Sequence, residues 1–270
     1  MTISELGGFD GLGVTRHGVF VLLGVIVATF LYLRAARRAG RMDDDHLAVL
    51  SGALIGGVLF AKLGVVWRYL GDGEGHSLAD LALRGGQSVL GGLAGAYLGA
   101  LAIKRIVGLR RSTGELFAAP VALGIAIGRI GCLLTEIPGR PADLPWSVTV
   151  DAARAATIPG FPAAWIGRPL HPSFAYEIAF HLAAFLLLLR LARDPAWAPD
   201  LFKVYLALYA PVRFLLEWTR ANPPLALGLS GSQWFLIPSM ILLGVWWWRR
   251  LKRPEVPRLI AVKALGEGRS

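Results

Sequence analysis

The sequence has few charged residues and only one cysteine. Charged side chains make up 17% of its 270 residues, hydrophobic side chains make up 55%, and the mean hydropathy is +0.55. Because a soluble domain is usually about a quarter charged, we do not expect a soluble globular fold. The lone Cys132 excludes an internal disulfide framework and a cysteine-rich metal site.

Acidic residues are scarcer than basic ones. The chain has 28 Lys and Arg against 18 Asp and Glu, a formal net charge of +10. Such an excess is common in nucleic-acid-binding proteins, but here the basic residues lie beside long apolar runs. Basic loops hold one side of a membrane protein in the cytoplasm. We therefore expect the lipid bilayer, and not nucleic acid, as a partner.

Long apolar runs fill most of the chain. Each is about 20 residues long, which is the length that an α-helix needs to cross a bilayer core. Lipid offers backbone polar groups no partner outside the helix itself. The sequence therefore predicts an all-α, polytopic membrane protein with seven transmembrane helices. The predicted spans are 18–36, 47–69, 87–104, 116–135, 172–192, 201–219 and 234–249.

The distribution of Lys and Arg predicts the orientation of these spans. Most of the basic residues lie after the first, third and fifth spans and in the C-terminal tail. The positive-inside rule then places the N-terminus outside and the C-terminus in the cytoplasm. Residues 136–171, after the fourth span, become an extracytoplasmic loop region. The spans leave room for a single integral membrane domain, 1–270.

Polar residues gather near the predicted outer ends of several spans. Charges inside a span are costly, usually face protein or water, and often mark a functional site. The residues concerned are His17, Gln87, Ser88, Arg129, His171, Tyr176, Glu177, Arg213 and Glu217. Since they fall at one depth, we expect them to form one site. Snorkelling or a buried ion pair would be the alternative for any single member.

Two arginines favour a phosphate group as the ligand of this site. Arg213 and Glu217 are four residues apart and share a helix face, so pairing with each other is one alternative. Arg129 has no carboxylate within its own span. Guanidinium groups bind phosphate through paired hydrogen bonds. Arg129 and Arg213 together would suit an anionic phospholipid headgroup, with histidine and glutamate available for acid–base work.

Three motifs and a glycine-rich segment carry these residues. They are GRIGC at 128–132 with Gly139-Arg140-Pro141, HPSFAYE at 171–177, Arg213-Phe214 with Glu217 and Arg220, and the glycine-rich segment GGQS at 85–88. In order, spacing and topology, the sequence resembles the bacterial prolipoprotein diacylglyceryl transferases along nearly the whole chain.

The resemblance implies an activity and a location. Such enzymes transfer the diacylglyceryl group of phosphatidylglycerol to the lipobox cysteine thiol of a preprolipoprotein, and glycerol phosphate leaves. By resemblance, the chain is a multi-pass enzyme of lipoprotein maturation in the bacterial cytoplasmic (inner) membrane. Its partners are phosphatidylglycerol and the lipobox signal peptides of preprolipoproteins. No cofactor and no metal are expected.

The resemblance also implies roles for single residues. Arg129 and Arg213 would hold the phosphate and stabilise charge on the leaving group, and Glu217 would orient Arg213. His171, Tyr176 or another nearby polar group would help to deprotonate the thiol, and the identity of the base stays open. The residues expected to bind phosphatidylglycerol are His17, Gln87, Ser88, Arg129, Gly139 and Arg140, with Gly139 and Arg140 at the outer mouth.

The sequence departs from the family pattern at several positions. Leu90 stands where a histidine precedes the paired glycines, Cys132 where an asparagine follows the GRIG motif, and His17 where a tyrosine is expected. Leucine neither takes up a proton nor donates a hydrogen bond. Two alternatives therefore remain beside the transferase: a paralogue acting on another lipid or acceptor, and a non-catalytic phospholipid-binding membrane protein.

Overall fold

The computed structural model describes residues 16–66 and 88–252, and the long elements in these two ranges are α-helices. They are α1 (Arg16–Arg38), α2 (Asp44–Val66), α3 (Val89–Ile106), α4 (Gly114–Thr135), α5 (Ser173–Leu191), α6 (Leu201–Leu216) and α7 (Gly231–Leu251). Helices α1 to α5 are long and apolar enough to cross a bilayer. The prediction of a largely helical, multi-pass membrane protein is confirmed, while the count of seven spans and their orientation stay predictions.

Local signals in the sequence explain where several helices begin and end. Ser230 caps α7 in a reciprocal capping box with Gln233, an arrangement that satisfies two otherwise unpaired N–H groups. Asp43 precedes α2 and accepts a hydrogen bond from the backbone N–H of His46 at 2.9 Å. After α1, Gly40 adopts a φ of 65°, the left-handed conformation with which many helices end.

The described residues divide into two compact units. One comprises 33–66 and 88–111, and the other comprises 16–32 and 112–252. In the first unit α2 packs along α3 through glycines. A Cβ added at Gly56 would overlap the carbonyl oxygen of Gly95, whereas one at Gly57 would meet Ala96 at 3.5 Å. Small residues at such positions let two membrane helices bring their backbones into contact.

The second unit contains the start of α1 and helices α4 to α7. Helix α4 packs against α5 and α6, and α6 packs against α5 and α7. Gly24 of α1 and Gly124 of α4 touch backbone to backbone, so α1 lies close against α4. The C-terminal ends of α4 and α6 lie beside the N-terminal ends of α5 and α7, because Arg129 contacts Glu177 and Glu217 contacts Ser230.

The segment between α4 and α5 is folded and has a small core of its own. That core consists of Val150, Ala155, Ile158 and Leu170, with Ile137, Phe161 and Trp165 packed against it. The segment contains a single helical turn at Ala152–Ala155 and a 3-10 turn at Ala163–Trp165. These contacts hold both flanks of the segment near the helix ends that carry the charged residues.

Candidate functional site

Glu177 lies at the centre of a cluster of arginines. Its carboxylate is fully buried in the second turn of α5, and Nη2 of Arg129 lies 2.6 Å from its Oε2 atom. Nη1 of Arg220 donates a hydrogen bond to Oε1 at 2.8 Å, and Nε of Arg213 lies 3.8 Å from the same oxygen. Three guanidinium groups, from α4, from α6 and from the segment after α6, therefore converge on one carboxylate.

Glu217 holds the Arg213 guanidinium group on the side away from Glu177. Nη1 of Arg213 donates a hydrogen bond to Oε2 of Glu217, so the pairing considered from the sequence is present. Oε1 of Glu217 accepts two more hydrogen bonds, from Nδ2 of Asn222 at 2.7 Å and from Oγ of Ser230 at 2.6 Å. Because Ser230 also caps α7, this network ties the end of α6 to the start of α7.

The interior of the cluster holds more guanidinium groups than buried carboxylates. Arg129, Arg213 and Arg220 face the two buried carboxylates of Glu177 and Glu217. The third carboxylate, of Glu136, lies at the exposed rim, 3.6 Å from Arg220. Among the described residues, the buried Nε–H groups of Arg129 and Arg213 have no hydrogen-bond acceptor. Buried donors and charges without partners are costly. The arrangement therefore suits one further anionic acceptor, such as a phosphate oxygen.

A line of polar groups leads from the cluster towards α1. Nη2 of Arg220 lies 3.6 Å from Oε2 of Glu136, and Oε1 of Glu136 lies 3.9 Å from Nδ1 of His17. The same His17 nitrogen lies 3.7 Å from Sγ of Cys132, and Nη1 of Arg129 also lies 3.7 Å from that sulfur. Since the side chain of Glu136 is 43% exposed, this end of the site opens to the surface.

Gly139 and Arg140 brace the segments around the cluster. A Cβ at Gly139 would lie 2.5 Å from Oγ of Ser173 and 2.6 Å from the carbonyl oxygens of His171 and Thr219, so only glycine fits there. Arg140 is exposed, and its Nε donates a hydrogen bond to the carbonyl oxygen of Arg220 at 2.8 Å. Both residues therefore hold the α5 entry against the segment that follows α6.

His171 and Tyr176 form a second, smaller polar group. The Tyr176 hydroxyl lies 3.3 Å from Nδ1 of His171 and accepts a hydrogen bond from Nε1 of Trp146 at 2.8 Å. A phenol can accept one hydrogen bond and donate another, so Tyr176 can direct its proton towards His171. This geometry fits a proton relay, and it leaves open which of the two groups takes up a substrate proton.

The other predicted ligand residues belong to the entry of α3. Gln87 lies outside the described residues. Ser88 is the N-cap of α3, and its hydroxyl accepts a hydrogen bond from the backbone N–H of Gly91 at 3.0 Å. The structure thus gives Ser88 a role in helix capping, and its contact with a lipid stays a prediction.

Several members of the cluster were not among the site residues expected from the sequence. They are Arg220, Glu136, Cys132 and Tyr209, whose hydroxyl lies 3.4 Å from Oε2 of Glu177. Glu177 itself was expected at the site, but without an assigned role. Arg220 lies inside a motif noted above, so its place in that motif, after Arg213 and Glu217, was an available signal. Tyr209 is one helical turn before Arg213 on the same face of α6.

A buried, arginine-rich cluster at the meeting ends of apolar helices defines a multi-pass membrane protein with a charged site inside its helix bundle. The sequence model of the family described as "Prolipoprotein diacylglyceryl transferase" matches residues 7–249. The chain belongs to the prolipoprotein diacylglyceryl transferase family.

Individual relatives agree with this assignment. A "Phosphatidylglycerol--prolipoprotein diacylglyceryl transferase" of Geobacter sulfurreducens is 33% identical over 241 residues, covering 85% of this chain and 87% of the relative. The protein of the same name from Bordetella avium is 34% identical over 245 residues, covering 85% and 88%. That from Clostridioides difficile is 26% identical over 220 residues, covering 78% and 81%. The predictions of the family and of an enzyme, a diacylglyceryl transferase, are confirmed.

Proposed function

We propose that this chain transfers the diacylglyceryl group of phosphatidylglycerol to the lipobox cysteine thiol of preprolipoproteins. The observation that carries the proposal is the pair of buried Nε–H groups, of Arg129 and Arg213, that lack an acceptor among the described residues. A phosphodiester brings one negative charge and several acceptor oxygens. Its oxygens would therefore accept hydrogen bonds from the free donors of Arg129 and Arg213.

The proposed reaction replaces a carbon–oxygen bond by a carbon–sulfur bond. The acceptor thiol loses its proton, and its sulfur attacks the glycerol carbon that carries the phosphate. The bond between that carbon and the phosphate oxygen breaks, and glycerol phosphate leaves with the electron pair. The phosphate thereby gains a second negative charge. Guanidinium groups already fixed around the leaving oxygen stabilise this developing charge without reorganisation.

The surrounding residues have distinct proposed roles. Arg129 and Arg213 hold the phosphate, and Glu217 positions Arg213 through their ion pair. Glu177 keeps the guanidinium groups together before the lipid binds. His171 and Tyr176 are the candidates for taking up the thiol proton through their mutual hydrogen bond. Gly139 and Arg140 shape the mouth of the site, and His17, Gln87 and Ser88 are proposed to contact the phosphatidylglycerol.

We propose that the site faces the outer leaflet of the bacterial inner membrane. The excess of Lys and Arg after the first, third and fifth spans supports an outside N-terminus and a cytoplasmic C-terminus. With seven spans, the loop region 136–171 and the charged helix ends then lie on the outer side. A preprolipoprotein presents its lipobox cysteine there once its signal peptide has crossed the membrane.

The test is transfer of labelled lipid by the purified protein. The protein is placed in vesicles of phosphatidylglycerol with labelled acyl chains and given a lipobox peptide, and the thioether product is measured by mass spectrometry. We expect product with the cysteine peptide and none with a serine version. Arg129→Lys keeps the charge but loses the fork geometry, so its turnover should fall about a hundredfold or more.

A matched control separates the site from general effects of arginine. Arg154 is exposed, and its Nη2 donates a hydrogen bond to the carbonyl oxygen of Leu133, so Arg154→Lys should keep nearly full turnover. Product from a different phospholipid but not from phosphatidylglycerol would favour the paralogue. Binding of phosphatidylglycerol without product would favour the non-catalytic protein, and equal losses in both variants would contradict the role of Arg129.

A further inference from the structure

Three side chains of metal-binding type converge at the edge of the arginine cluster. His17, Cys132 and Glu136 each offer one donor atom, and the three donor atoms lie within 4.8 Å of one another. The His17 nitrogen is 3.7 Å from the Cys132 sulfur and 3.9 Å from a carboxylate oxygen of Glu136. Their types, imidazole, thiol and carboxylate, are the donors that zinc uses in proteins.

Close packing between two helices builds this group. His17 lies in the first turn of α1, and Cys132 lies in the last turn of α4. Gly131, beside Cys132, has the carbonyl oxygen of His17 and Cβ of Phe20 each 3.1 Å from the position of a Cβ. The missing side chain at Gly131 lets α1 approach, and Glu136 follows directly after α4. The backbone contact therefore brings His17 and Cys132 of the two helices close together, with Glu136 next to them.

We propose that His17, Cys132 and Glu136 form a binding site for a divalent cation of the zinc type. Donor atoms bound to tetrahedral zinc are about 3.4–3.6 Å apart. The two separations that involve His17 exceed these values by roughly half an ångström or less, and the Cys132 and Glu136 donor atoms lie within 4.8 Å of each other. Three protein ligands leave a fourth position for water or another small ligand. A cysteine-rich metal site is excluded by the single cysteine, whereas a mixed site needs only one.

Charge and exposure also suit such a cation. A thiolate and a carboxylate together neutralise a divalent ion, and imidazole binds it as a neutral ligand. Cys132 is buried, while the side chains of His17 and Glu136 are 30% and 43% exposed, so a cation can enter past them. Arg129 near the sulfur and Arg220 near Glu136 would act as outer hydrogen-bond partners of the ligands.

The chain itself provides a site-specific readout. Because Cys132 is the only cysteine in the chain, any thiolate-to-metal charge-transfer band must come from this residue. The full-length protein, purified in detergent and freed of metal, is titrated with Cd²⁺ and followed by ultraviolet absorption. Zn²⁺ is then added in competition. We expect one equivalent of Cd²⁺ to produce the band and Zn²⁺ to remove it.

Substitutions distinguish a three-ligand site from a lone thiol. Cys132→Ser should abolish the band, and His17→Ala and Glu136→Gln should each weaken Cd²⁺ binding at least about tenfold. The matched control is His46→Ala, which removes a histidine outside the group and should leave the affinity unchanged. Size-exclusion elution shows that each variant is folded.

Two results would overturn the proposal. One is the absence of a charge-transfer band at stoichiometric Cd²⁺ in folded wild-type protein. The other is an equal Cd²⁺ affinity in the wild type, His17→Ala and Glu136→Gln, which would leave Cys132 as an ordinary thiol. The experiment measures metal binding alone, so its result tests the metal site independently of the transferase assay.

Discussion

At the scale of single residues, Glu177 compensates three guanidinium groups with one buried carboxylate. Glu177→Gln should destabilise the protein by about 3–5 kcal/mol, because removing one partner leaves buried charges without compensation. An anionic lipid should restore part of this loss by binding the arginines. The measurement is thermal unfolding in detergent with added phosphatidylglycerol or phosphatidylcholine.

The control for this prediction is a carboxylate at the rim of the same cluster. Glu136 is 43% exposed, so Glu136→Gln should cost no more than about 1 kcal/mol. If Glu177→Gln unfolds at the same temperature as the wild type, or if both lipids stabilise it equally, the arginines do not depend on this carboxylate.

The sequence indicated some members of the cluster and not others. Arg129, Arg213 and Glu217 stood out because charge within an apolar run has few structural explanations. The contact of Arg129 with Glu177 was not predictable, since it joins two helices whose relative rotation depends on packing. Gly139 was expected at the outer mouth, which stays a prediction; its close fit between Ser173 and the carbonyl oxygens of His171 and Thr219 could not be read from the sequence.

At the scale of helices, neighbouring glycines of α2 give a direct test of backbone packing. Gly56→Ala should lower the stability of the α2–α3 pair, because its Cβ would overlap the carbonyl oxygen of Gly95. Gly57→Ala should be neutral or stabilising by up to about 1 kcal/mol, since alanine favours helix and its Cβ has room at 3.5 Å. Loss of helical circular dichroism on heating measures both variants. Identical midpoints would argue against direct backbone contact.

The hydrogen bond that caps α2 predicts that the stability of its first turn depends on pH. The hydrogen bond from the backbone N–H of His46 lowers the pKa of Asp43 from its ordinary value of 3.8. The carboxylate's contribution to stability is therefore fully present above that value and is lost as the pH falls through the lowered pKa. Hydrogen exchange of the His46 amide, corrected for intrinsic rates, should show this loss of protection.

Two variants check the assignment to Asp43. Asp43→Asn keeps an oxygen for the cap but has no charge to lose, so protection of the His46 amide should no longer change in that pH window. Asp44→Asn, at the neighbouring exposed position, should behave like the wild type. An unaltered pH profile in Asp43→Asn would show that another group controls this turn.

The helices themselves were predictable because about 20 consecutive apolar residues have few other solutions in a bilayer. The ends of the helices were harder to predict. Residues 217–219 were expected inside a span, but they form a 3-10 turn that brings Glu217 to Asn222 and Ser230. The folded segment after α4 was expected only as a loop, because its small core draws on short elements without periodicity.

At the scale of the whole molecule, the orientation of the chain can be tested directly. We expect the C-terminus in the cytoplasm, because the C-terminal tail and the segments after the first, third and fifth spans carry most of the Lys and Arg. A green fluorescent protein fused after residue 270 should fluoresce, and alkaline phosphatase at the same position should stay inactive. The reverse pattern would place the arginine cluster on the cytoplasmic side and contradict the proposed function.

Sequence reasoning predicted the class of the whole molecule better than its internal division. Composition and apolar run length are sums over many residues, so they indicated a helical membrane protein. The division into two compact units depends on which helices pack against each other. Because many helices contain glycines, the sequence could not show that Gly56 contacts Gly95 or that Gly24 contacts Gly124.

The ion pair between Arg129 and Glu177 also has a consequence for biosynthesis. The ribosome completes α4 before α5, and at about 5–20 residues per second the roughly 50 residues between the two partners take several seconds to emerge. During that interval Arg129 lies in an apolar segment without its counter-ion, which is costly in lipid. Pairing with α5 removes this cost, so we expect α4 to become stable in the bilayer only once α5 has been made.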